Sequence, residues 1–379
     1  MPLTWRHSAL DDRHRALGSN LEDWNGMGAA WTYAHDIHGD HKAIRNGAGL
    51  MDVSGLKKYH IVGPHAQAVL DYVTTRDTSK LYPGKSAYAS ILNGDGKFVD
   101  DCIIYRTGPN AWMWVHGGGH GLEMLSPSLA GRNVSLLFDD DMHDLSLQGP
   151  KAVDFLDKHI PGTRSLKYFH HIQTQLFGKP IMLSRTGYSG ERGYEIFCKA
   201  EDAPTIWDTI VAEGKSFGIV PAQFATLDMV RVESSLLFYP YDNSETYPFD
   251  NGDPVGDTLW ELGLDFTVSP RKTGFRGADA HYRAKGKERF KINGVYIDDE
   301  NPPAGGTELF DAKGKKVGVI TGAMRSKMVN KTMAIARLDV PAATEGTKLE
   351  IRGEKGKVAV TVQNLPFDDP DKKKRSASG

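Results

Sequence analysis

The spacing of apolar residues divides most of the chain into strands and helices. LMDVSGLKKYHIVGP alternates apolar and polar residues like a half-buried strand, and HAQAVLDYVTT then places apolar residues at helical spacing. SAYASILNGDGKFVDDCIIYRTG predicts two strands joined by a tight turn, because Asn93-Gly94-Asp95-Gly96 tolerates positive φ. LSLQGPKAVDFLDKHI repeats the order of strand, Gly-Pro turn and amphipathic helix. The pattern therefore predicts an α+β protein with antiparallel sheets flanked by helices.

The texture changes after about residue 287. Short apolar runs separated by turn residues follow, as in RFKINGVYI, TELFDAKGKKVGVITGAM and KTMAIARLDV. Short strands with frequent turns predict a small β barrel or sandwich. The last residues, 369–379, are polar and highly charged, so we predict that this tail is disordered.

Composition narrows the class of partner. The 379 residues include 46 lysines and arginines and 48 aspartates and glutamates, with both signs spread along the chain. This balance argues against a nucleic-acid surface or a polybasic membrane patch, and no run approaches the roughly 20 apolar residues of a spanning helix. With only Cys102 and Cys198 and no signal-peptide pattern, we expect a cytoplasmic protein that binds a small molecule or another protein.

Two neighbouring carboxylates follow the predicted hairpin turn. Asp100 and Asp101 stand at the start of the strand CIIYR. Adjacent strand residues point to opposite faces, so only one of the two can face a given cleft. The alternative is that they are turn and cap carboxylates without a catalytic role.

Other polar clusters have plainer interpretations. His35, His38 and His41 are possible metal ligands, but their spacing matches no helical histidine motif, so we predict no metal site. The glycine run 116–121 lacks the lysine-serine pair of a phosphate loop and predicts a tight turn. In LDMVRVESSLLFYPYD, an arginine either pairs with the aspartate three residues earlier or fixes a bound carboxylate.

Five ordered segments together resemble a known family. AGLMDVSG, DTSKLYPGKSAYASILNGDGKFVDDCIIY, LSLQGPKAV, SRTGYSGERGYEIF and LDMVRVESSLLFYPYD occur in the order and at the separations found in the aminomethyltransferase family. That family includes the T-protein of the glycine cleavage system and folate-dependent demethylases such as dimethylsulfoniopropionate demethylase. The resemblance runs from about Trp31 to Pro370, and RTGYSGERGYE is its most specific part.

The resemblance implies a three-domain cloverleaf around a central channel that holds tetrahydrofolate. Two domains are antiparallel-sheet α+β units and the third is a small β barrel or jelly-roll-like unit. The implied parts are domain 1 (residues 1–50 and 145–245), a ferredoxin-like domain 2 (51–144), a connecting segment (246–286), the C-terminal β domain (287–368) and the tail (369–379).

The resemblance also implies roles for individual residues. Glu195 matches the glutamate that binds the edge of the pterin ring, and Tyr88 and Tyr188 match positions that pack against it. Asp101 matches the catalytic aspartate facing the reactive nitrogens of the folate, with Asp100 as the second choice. Further cofactor contacts are expected from Arg231, Tyr239, Phe266, His116 and Met51.

Departures from the T-protein pattern fall on the substrate side of the implied folate site. T-proteins usually have histidine where this chain has Gly55, and Asn-Ala-Ala-Asn where it has residues 116–119; the segment 24–41 also differs. Trp31, Tyr33 and His35 are therefore candidate substrate contacts, and aromatic faces suit a methylated cation.

Three functions remain open. The first is methyl transfer from a small sulfonium, ammonium or methoxy compound to tetrahydrofolate, in which folate carries the chemistry without a metal. The second is the glycine cleavage T-protein reaction, which requires a lipoyl carrier protein as partner. The third is a non-catalytic folate-binding regulatory protein.

Overall fold

The computed structural model describes residues 6–353 and 356–377. Its strands are β1 Glu22–Trp24, β2 Met27–Ala29, β3 Ala48–Asp52, β4 Lys57–Val62, β5 Ser86–Leu92, β6 Phe98–Gly108, β7 Ala111–His116, β8 Ser135–Phe138, β9 Met142–Gln148, β10 His171–Leu176, β11 Lys179–Ser184, β12 Gly193–Lys199, β13 Ile219–Pro221, β14 Phe290–Ile297, β15 Glu308–Phe310, β16 Lys316–Ser326, β17 Lys331–Asp339, β18 Lys348–Gly353 and β19 Gly356–Gln363.

The helices are short. The α-helices are α1 Asp11–Ala16, α2 Ile37–Asn46, α3 Ala66–Val73, α4 Gly121–Leu125, α5 Ala152–His159, α6 Ala203–Glu213, α7 Phe224–Glu233, α8 Leu259–Leu262, α9 Ala278–Ala284 and α10 Lys373–Ser376. The 3-10 helices are Thr78–Lys80, Ser126–Leu129, Thr163–Ser165, Gly214–Phe217, Asp265–Thr267 and Val340–Ala342. No helix in these described ranges is long and apolar enough to cross a bilayer.

The first sheet has six strands in the order β10-β11-β12-β9-β3-β13, antiparallel except for the parallel β13 and β3 pair. Period-two alternation sends Leu145, Leu147 and Ile196 to one face, where they form a core with the apolar stripes of α5 and α6. The opposite face is left for polar and aromatic residues. That second face carries the candidate site.

The second sheet has five strands in the order β5-β6-β7-β4-β8. Its outer face packs Ile61, Ile104 and Trp112 against the apolar side of α3. The predicted hairpin is confirmed: β5 pairs antiparallel with β6, and Asn93 N–H donates to the Lys97 carbonyl across the turn at 2.9 Å. As in the first sheet, the face away from the helices does not pack against a helix.

The third unit is a closed barrel with strand order β14-β17-β16-β15-β18-β19. Val295, Ile320, Leu338 and Val362 fill its core. The predicted α+β fold with a C-terminal β barrel is therefore confirmed. The proposed domain boundaries remain a prediction, although β3 and β9 lie side by side in one sheet while the second sheet occupies the sequence between them.

Residues 369–377 of the segment predicted as a disordered tail are among those that the structure describes. This segment forms a turn and the short helix α10. Lys374 Nζ lies 2.8 Å from an Asp368 oxygen and 3.2 Å from Glu191 Oε1, while the Arg185 guanidinium donates to the main-chain carbonyls of Arg375 and Ala377. Acidic partners and a buried arginine therefore hold a charge run that composition alone marks as disordered. Residues 378–379 lie outside the described ranges.

Candidate active site

The free faces of the two sheets meet and enclose a strip of polar and aromatic side chains. Met182 and Phe197 of the first sheet pack against Tyr105 and Met113 of the second. The Tyr105 hydroxyl also donates to Glu195 Oε2 at 3.2 Å, which links β6 directly to β12. Side chains that share the face of Tyr105 therefore look towards Glu195.

The structure separates the two adjacent aspartates, as strand alternation requires. Asp100 lies on the outer, core-facing side of β6 and is fully buried. Its Oδ2 accepts from Gly121 N–H at 3.0 Å and lies 2.8 Å from His116 Nδ1. His116 stacks on Trp114 in the same core, with 4.1 Å between ring centroids. Asp100 and His116 are thus placed away from the strip between the sheets, and their predicted catalytic and cofactor roles gain no support from this geometry.

Asp101 faces the strip. Tyr88 hydroxyl donates to Asp101 Oδ2 at 2.7 Å. Burial raises the pKa of Asp101 to about 7, the nearby Asp100 charge adds to the increase, and the Tyr88 hydrogen bond opposes it. Near neutral pH this carboxyl group is consequently poised between its acid and base forms.

The contact between Tyr88 and Asp101 gives a testable pH effect. Tyr88→Phe removes the hydrogen bond that favours the carboxylate, so the pKa of Asp101 rises further above about 7. If the carboxylate is the active form, less of it is present at pH 7, and the rising limb of the pH–rate profile moves to higher pH by up to about one unit. Tyr282→Phe removes a hydroxyl that donates to the Lys272 carbonyl and should leave the profile in place. An unchanged profile in Tyr88→Phe would contradict the coupling.

Glu195 projects from β12, and only one of its two carboxylate oxygens accepts hydrogen bonds from the described residues. Tyr105 and Thr186 hydroxyls donate to Oε2, whereas Oε1 makes no hydrogen bond to the residues that the structure describes. Burial raises the pKa of Glu195, and the two hydroxyl donors oppose that increase. The open oxygen is therefore available to a ligand between the sheets.

A second carboxyl group, Asp144, lies beside Glu195 on the neighbouring strand β9. It is fully buried, and neither of its oxygens has a hydrogen-bond partner among the described residues. Burial raises the pKa of Asp144 well above its usual range, and the Glu195 charge adds to this. Since Glu195 has two donors and Asp144 has none, the negative charge belongs on Glu195 and the proton on Asp144.

The segment SRTGYSGERGYEIF folds around the side chain of Gln148. Gln148 Nε2 donates to the Thr186 carbonyl at 3.2 Å, and the Ser189 hydroxyl donates to Gln148 Oε1 at 2.8 Å. A Cβ atom at Gly187 or Gly193 would overlap the Gln148 amide. Two of the glycines in this segment are therefore needed so that the backbone can approach Gln148 closely.

This packing predicts a stability effect for one glycine. Gly193→Ala places a methyl group on the Gln148 amide, and overpacking of this kind should lower the free energy of unfolding by about 1–3 kcal/mol. Gly94→Ala is the matched control, because a Cβ atom there meets nothing within 4 Å. Denaturant melts of the two variants measure the difference. Equal midpoints would show that the segment relaxes around Gln148.

Tyr188 extends from the same segment towards the residues that follow α7. Its hydroxyl donates to the Leu236 carbonyl at 3.1 Å and to the Leu237 carbonyl. Its ring packs against a cluster that includes Met51. Burial raises the pKa of Tyr188, and the Asp101 charge adds to the increase. Tyr188 and Asp101 therefore act on each other electrostatically, although Tyr188 lies in the loop between β11 and β12 of the first sheet and Asp101 lies on β6 of the second.

The other predicted cofactor contacts lie around this centre. Phe266 is 54% exposed, and its ring stacks on Tyr88 with 6.3 Å between centroids. Arg231 is buried, with Nε 2.7 Å from Asp228 Oδ1 and Nη1 2.5 Å from Asp242 Oδ2. The structural alternative for Arg231, pairing with Asp228, is thus present. Tyr239 belongs to a cluster against which Tyr88 also packs, and its hydroxyl donates to Glu245 Oε1 at 2.6 Å.

The candidate substrate residues separate in the structure. Trp31 stacks on Phe224 at 4.8 Å within the cluster that contains Tyr188. Tyr33 is buried, and its hydroxyl lies 2.9 Å from His14 Nδ1. His35 Nε2 lies 2.8 Å from Asp40 Oδ1. Tyr33 and His35 thus engage polar partners of their own, and only Trp31 shares a cluster with Tyr188.

Two of the three histidines of this region contact carboxylates, whereas His38 Nδ1 is buried and has no hydrogen-bond partner among the described residues. His41 Nε2 lies 2.9 Å from Glu233 Oε2, in addition to the contact of His35 with Asp40. Within residues 6–353 and 356–377, no group of three or more metal-ligating side chains is placed to hold a metal ion.

The departures from the T-protein pattern form one structural feature. Trp24, in the β1–β2 hairpin, occupies the space that a side chain at residue 55 would need. At the tip of the same hairpin, Asn25 Oδ1 would lie 3.0 Å from a Cβ atom at Gly118. Three stretches that differ separately in sequence are therefore explained by one packed hairpin, which takes the room left by two glycines.

The comparisons with known proteins identify the family of the chain. Residues 10–272 match the family model of the GCVT N-terminal domain, and residues 291–369 match that of the glycine cleavage T-protein C-terminal barrel domain. The chain therefore belongs to the aminomethyltransferase family, as its resemblance predicted, and it is an enzyme of that family.

Relatives with several activities are similar to the chain. A heme-dependent oxidative N-demethylase gamma subunit of Ectopseudomonas mendocina is 63% identical over the full length of both proteins. A trimethylamine-oxide aldolase of Ruegeria pomeroyi is 30% identical over 98% of this chain and 48% of its own length. An aminomethyltransferase of Saccharopolyspora erythraea is 31% identical over 96% and 98% of the two chains. The crystal structure of aminomethyltransferase T from Bartonella henselae has a TM-score of 0.86 at 24% identity, covers 96% of this chain and 98% of its own, and establishes the fold.

Sequence reasoning missed four residues of the site. These are Tyr105, Thr186, Gln148 and Asp144. Tyr105 could have been found, because it stands four positions after Asp101 on the same strand and therefore on the same face. Asp144 could not, since its neighbour Glu195 lies on another strand, 51 residues later in the chain.

Proposed function

We propose that the chain transfers a one-carbon unit from a methylated amine to tetrahydrofolate. The observation that carries this proposal is the convergence of Asp101, Tyr88, Tyr188 and the open oxygen of Glu195 between the two sheets. A single ligand with a flat polar ring and a nearby nucleophilic nitrogen satisfies all four.

The residues present fit tetrahydrofolate. Glu195 keeps one carboxylate oxygen free of protein donors, and a pterin edge offers an adjacent ring N–H and amino group that such a carboxylate accepts. Tyr88 and Tyr188 offer aromatic surface beside it. Along β6, Asp101 and Tyr105 are four residues apart, which is about 13 Å at 3.3 Å per residue. Glu195 and Asp101 would therefore hold different ends of the ring system.

Bound tetrahydrofolate would supply the nitrogen nucleophiles that accept the carbon unit. Asp101 would orient those nitrogens through its carboxylate and take up the proton released when a nitrogen forms a bond to carbon. Its pKa of about 7 suits a group that gains a proton in one step and loses it in the next. Tyr88 would keep the carboxylate in place.

Two relatives favour nitrogen as the atom that carries the methyl group. Their names, N-demethylase gamma subunit and trimethylamine-oxide aldolase, both refer to methylated amines. Oxidative removal of an N-methyl group yields carbon at the oxidation level of formaldehyde. We therefore infer that methylene-tetrahydrofolate is the product and that a redox-active partner subunit prepares the carbon unit.

A product assay tests the proposal. Purified protein and tetrahydrofolate are mixed with formaldehyde or with intact methylated amines, sulfonium compounds or methoxyaromatics, and the folates are quantified by mass spectrometry. We expect methylene-tetrahydrofolate to form from formaldehyde faster than in protein-free buffer. Formation of methyl-tetrahydrofolate from an intact donor would overturn the assigned oxidation level, and no folate product above the buffer rate would overturn the function.

The second candidate is the T-protein reaction. The full-length similarity to an aminomethyltransferase favours it. The hairpin that places Trp24 against Gly55 does not favour it, because T-proteins usually carry histidine at that position. Adding aminomethyl-lipoyl carrier protein to the assay distinguishes the two, since only a T-protein would release ammonia from it.

A further inference from the structure

The C-terminal segment of residues 368–377 lies at the end of a line of contacts that begins in the site. Asp101 accepts from the Tyr88 hydroxyl, and the Tyr88 ring stacks on Phe266. Phe266 is half exposed, and Lys372 Nζ lies 5.4 Å from its ring centroid. This line runs from a buried carboxyl group to solvent and ends at a basic side chain.

The same segment is also attached to the first sheet's side of the site. Arg185 donates to the Arg375 and Ala377 carbonyls, and Lys374 pairs with Glu191. Burial raises the pKa of Tyr168, with Arg375 lowering it and Glu195 raising it. The charges of Arg375 and Glu195 therefore both act on Tyr168.

Two cations of the segment carry uncompensated charge. Lys373 pairs with Asp371, and Lys374 pairs with Asp368 and Glu191. Lys372 and Arg375 form no ion pair with any residue in 6–353 or 356–377. Burial lowers the pKa of Lys372, and the Arg375 charge lowers it further. An anion bound between them would relieve this repulsion.

Most of this segment, residues 370–377, lies beyond the part of the chain that the family models cover. The C-terminal barrel match ends at residue 369, and Lys372 and Arg375 follow it.

We propose that Lys372 and Arg375 bind the glutamyl carboxylates of a folate whose ring occupies the site between the sheets. The inference rests on the proposed function. A folate ring is neutral and flat, whereas its tail is an acid that gains one carboxylate with each added glutamate. Lysine and arginine recognise such carboxylates, and arginine does so in a bidentate manner. The path past Tyr88 and Phe266 leads to Lys372, and the Arg375 charge acts on Lys372.

Calorimetric titration of the full chain tests this inference. The ligands are 5-formyltetrahydrofolate with one glutamate and the same compound with five. The pentaglutamate should bind wild type about three- to tenfold more tightly, as expected for a few exposed ion pairs. Lys372→Ala/Arg375→Ala should abolish most of this advantage, and 0.5 M salt should reduce it in wild type by screening.

Lys287→Ala/Lys313→Ala is the matched control, because it removes two exposed lysines from elsewhere and should retain the pentaglutamate advantage. Equal affinities for the two ligands in wild type, or an undiminished advantage in Lys372→Ala/Arg375→Ala, would overturn the inference and leave the proposed function intact. Tighter binding of both ligands to that variant would also overturn it, since the segment would then obstruct the site. Failure of both ligands to bind wild type would overturn the proposed function together with the inference.

Discussion

Asp101→Asn is expected to lower turnover by about 10²- to 10⁴-fold, the range in which a positioned acid–base group contributes. The amide keeps the shape of the carboxyl group, and its oxygen can still accept from the Tyr88 hydroxyl. It cannot take up a proton at neutral pH. Folate affinity should therefore change little while kcat falls.

The formaldehyde-dependent product assay and a calorimetric titration with 5-formyltetrahydrofolate measure the two quantities separately. Wild-type activity should rise with pH through about pH 7, where the Asp101 carboxylate forms, and the variant should lack that limb. Asp100→Asn is the informative comparison. It loses a buried contact with His116 and Gly121, which should lower thermal stability, and it removes the charge that helps to raise the pKa of Asp101. The rising limb should therefore move to lower pH in Asp100→Asn while turnover above that limb is kept. Full turnover in Asp101→Asn would remove this residue from the mechanism.

Glu195→Gln is expected to weaken folate binding by about 10- to 100-fold, because hydrogen bonds to a charged group contribute about 1.5–3 kcal/mol. The amide replaces one carboxylate oxygen with a donor, which opposes the donors along a pterin edge. Stability should be kept or slightly increased. Burial already raises the pKa of Glu195, so the folded protein disfavours its charged form and loses nothing when that charge is removed.

Titration with 5-formyltetrahydrofolate and a thermal melt test this pair of expectations. Glu201→Gln makes the same chemical change at an exposed position just after β12 and should alter neither quantity. Loss of binding together with a large loss of stability would assign Glu195 a structural role. Unchanged binding would leave the open oxygen without a ligand.

Local chemistry predicted the parts of the site that depend on strand geometry. Period-two alternation required that Asp100 and Asp101 face opposite ways, and the structure places them so. The glycine-rich segment around Tyr188 was recognisable because its residue composition is unusual. The reason for its glycines could not be predicted, since the segment folds around Gln148, which lies 38 residues before Thr186.

Distant partners make contacts that the sequence did not predict. In the tail, Lys374 pairs with Glu191, 183 residues earlier in the chain. Tyr33 meets His14, and its hydroxyl is buried because that partner is buried too. A polar segment is predicted to be solvated when its distant hydrogen-bond and ion-pair partners are unknown. No local sequence pattern identifies those partners.

The hydrogen bond between Tyr105 and Glu195 joins residues 90 positions apart in sequence. It links the two sheets that enclose the site. Neither sheet alone contains both Asp101 and Glu195, so a chain with only one sheet folded has no place for the ligand. Contacts of such long sequence separation form late, because the intervening loop must close first. A ligand that contacts both sheets therefore binds only after the two sheets have packed together, and it stabilises only chains in which that packing is complete.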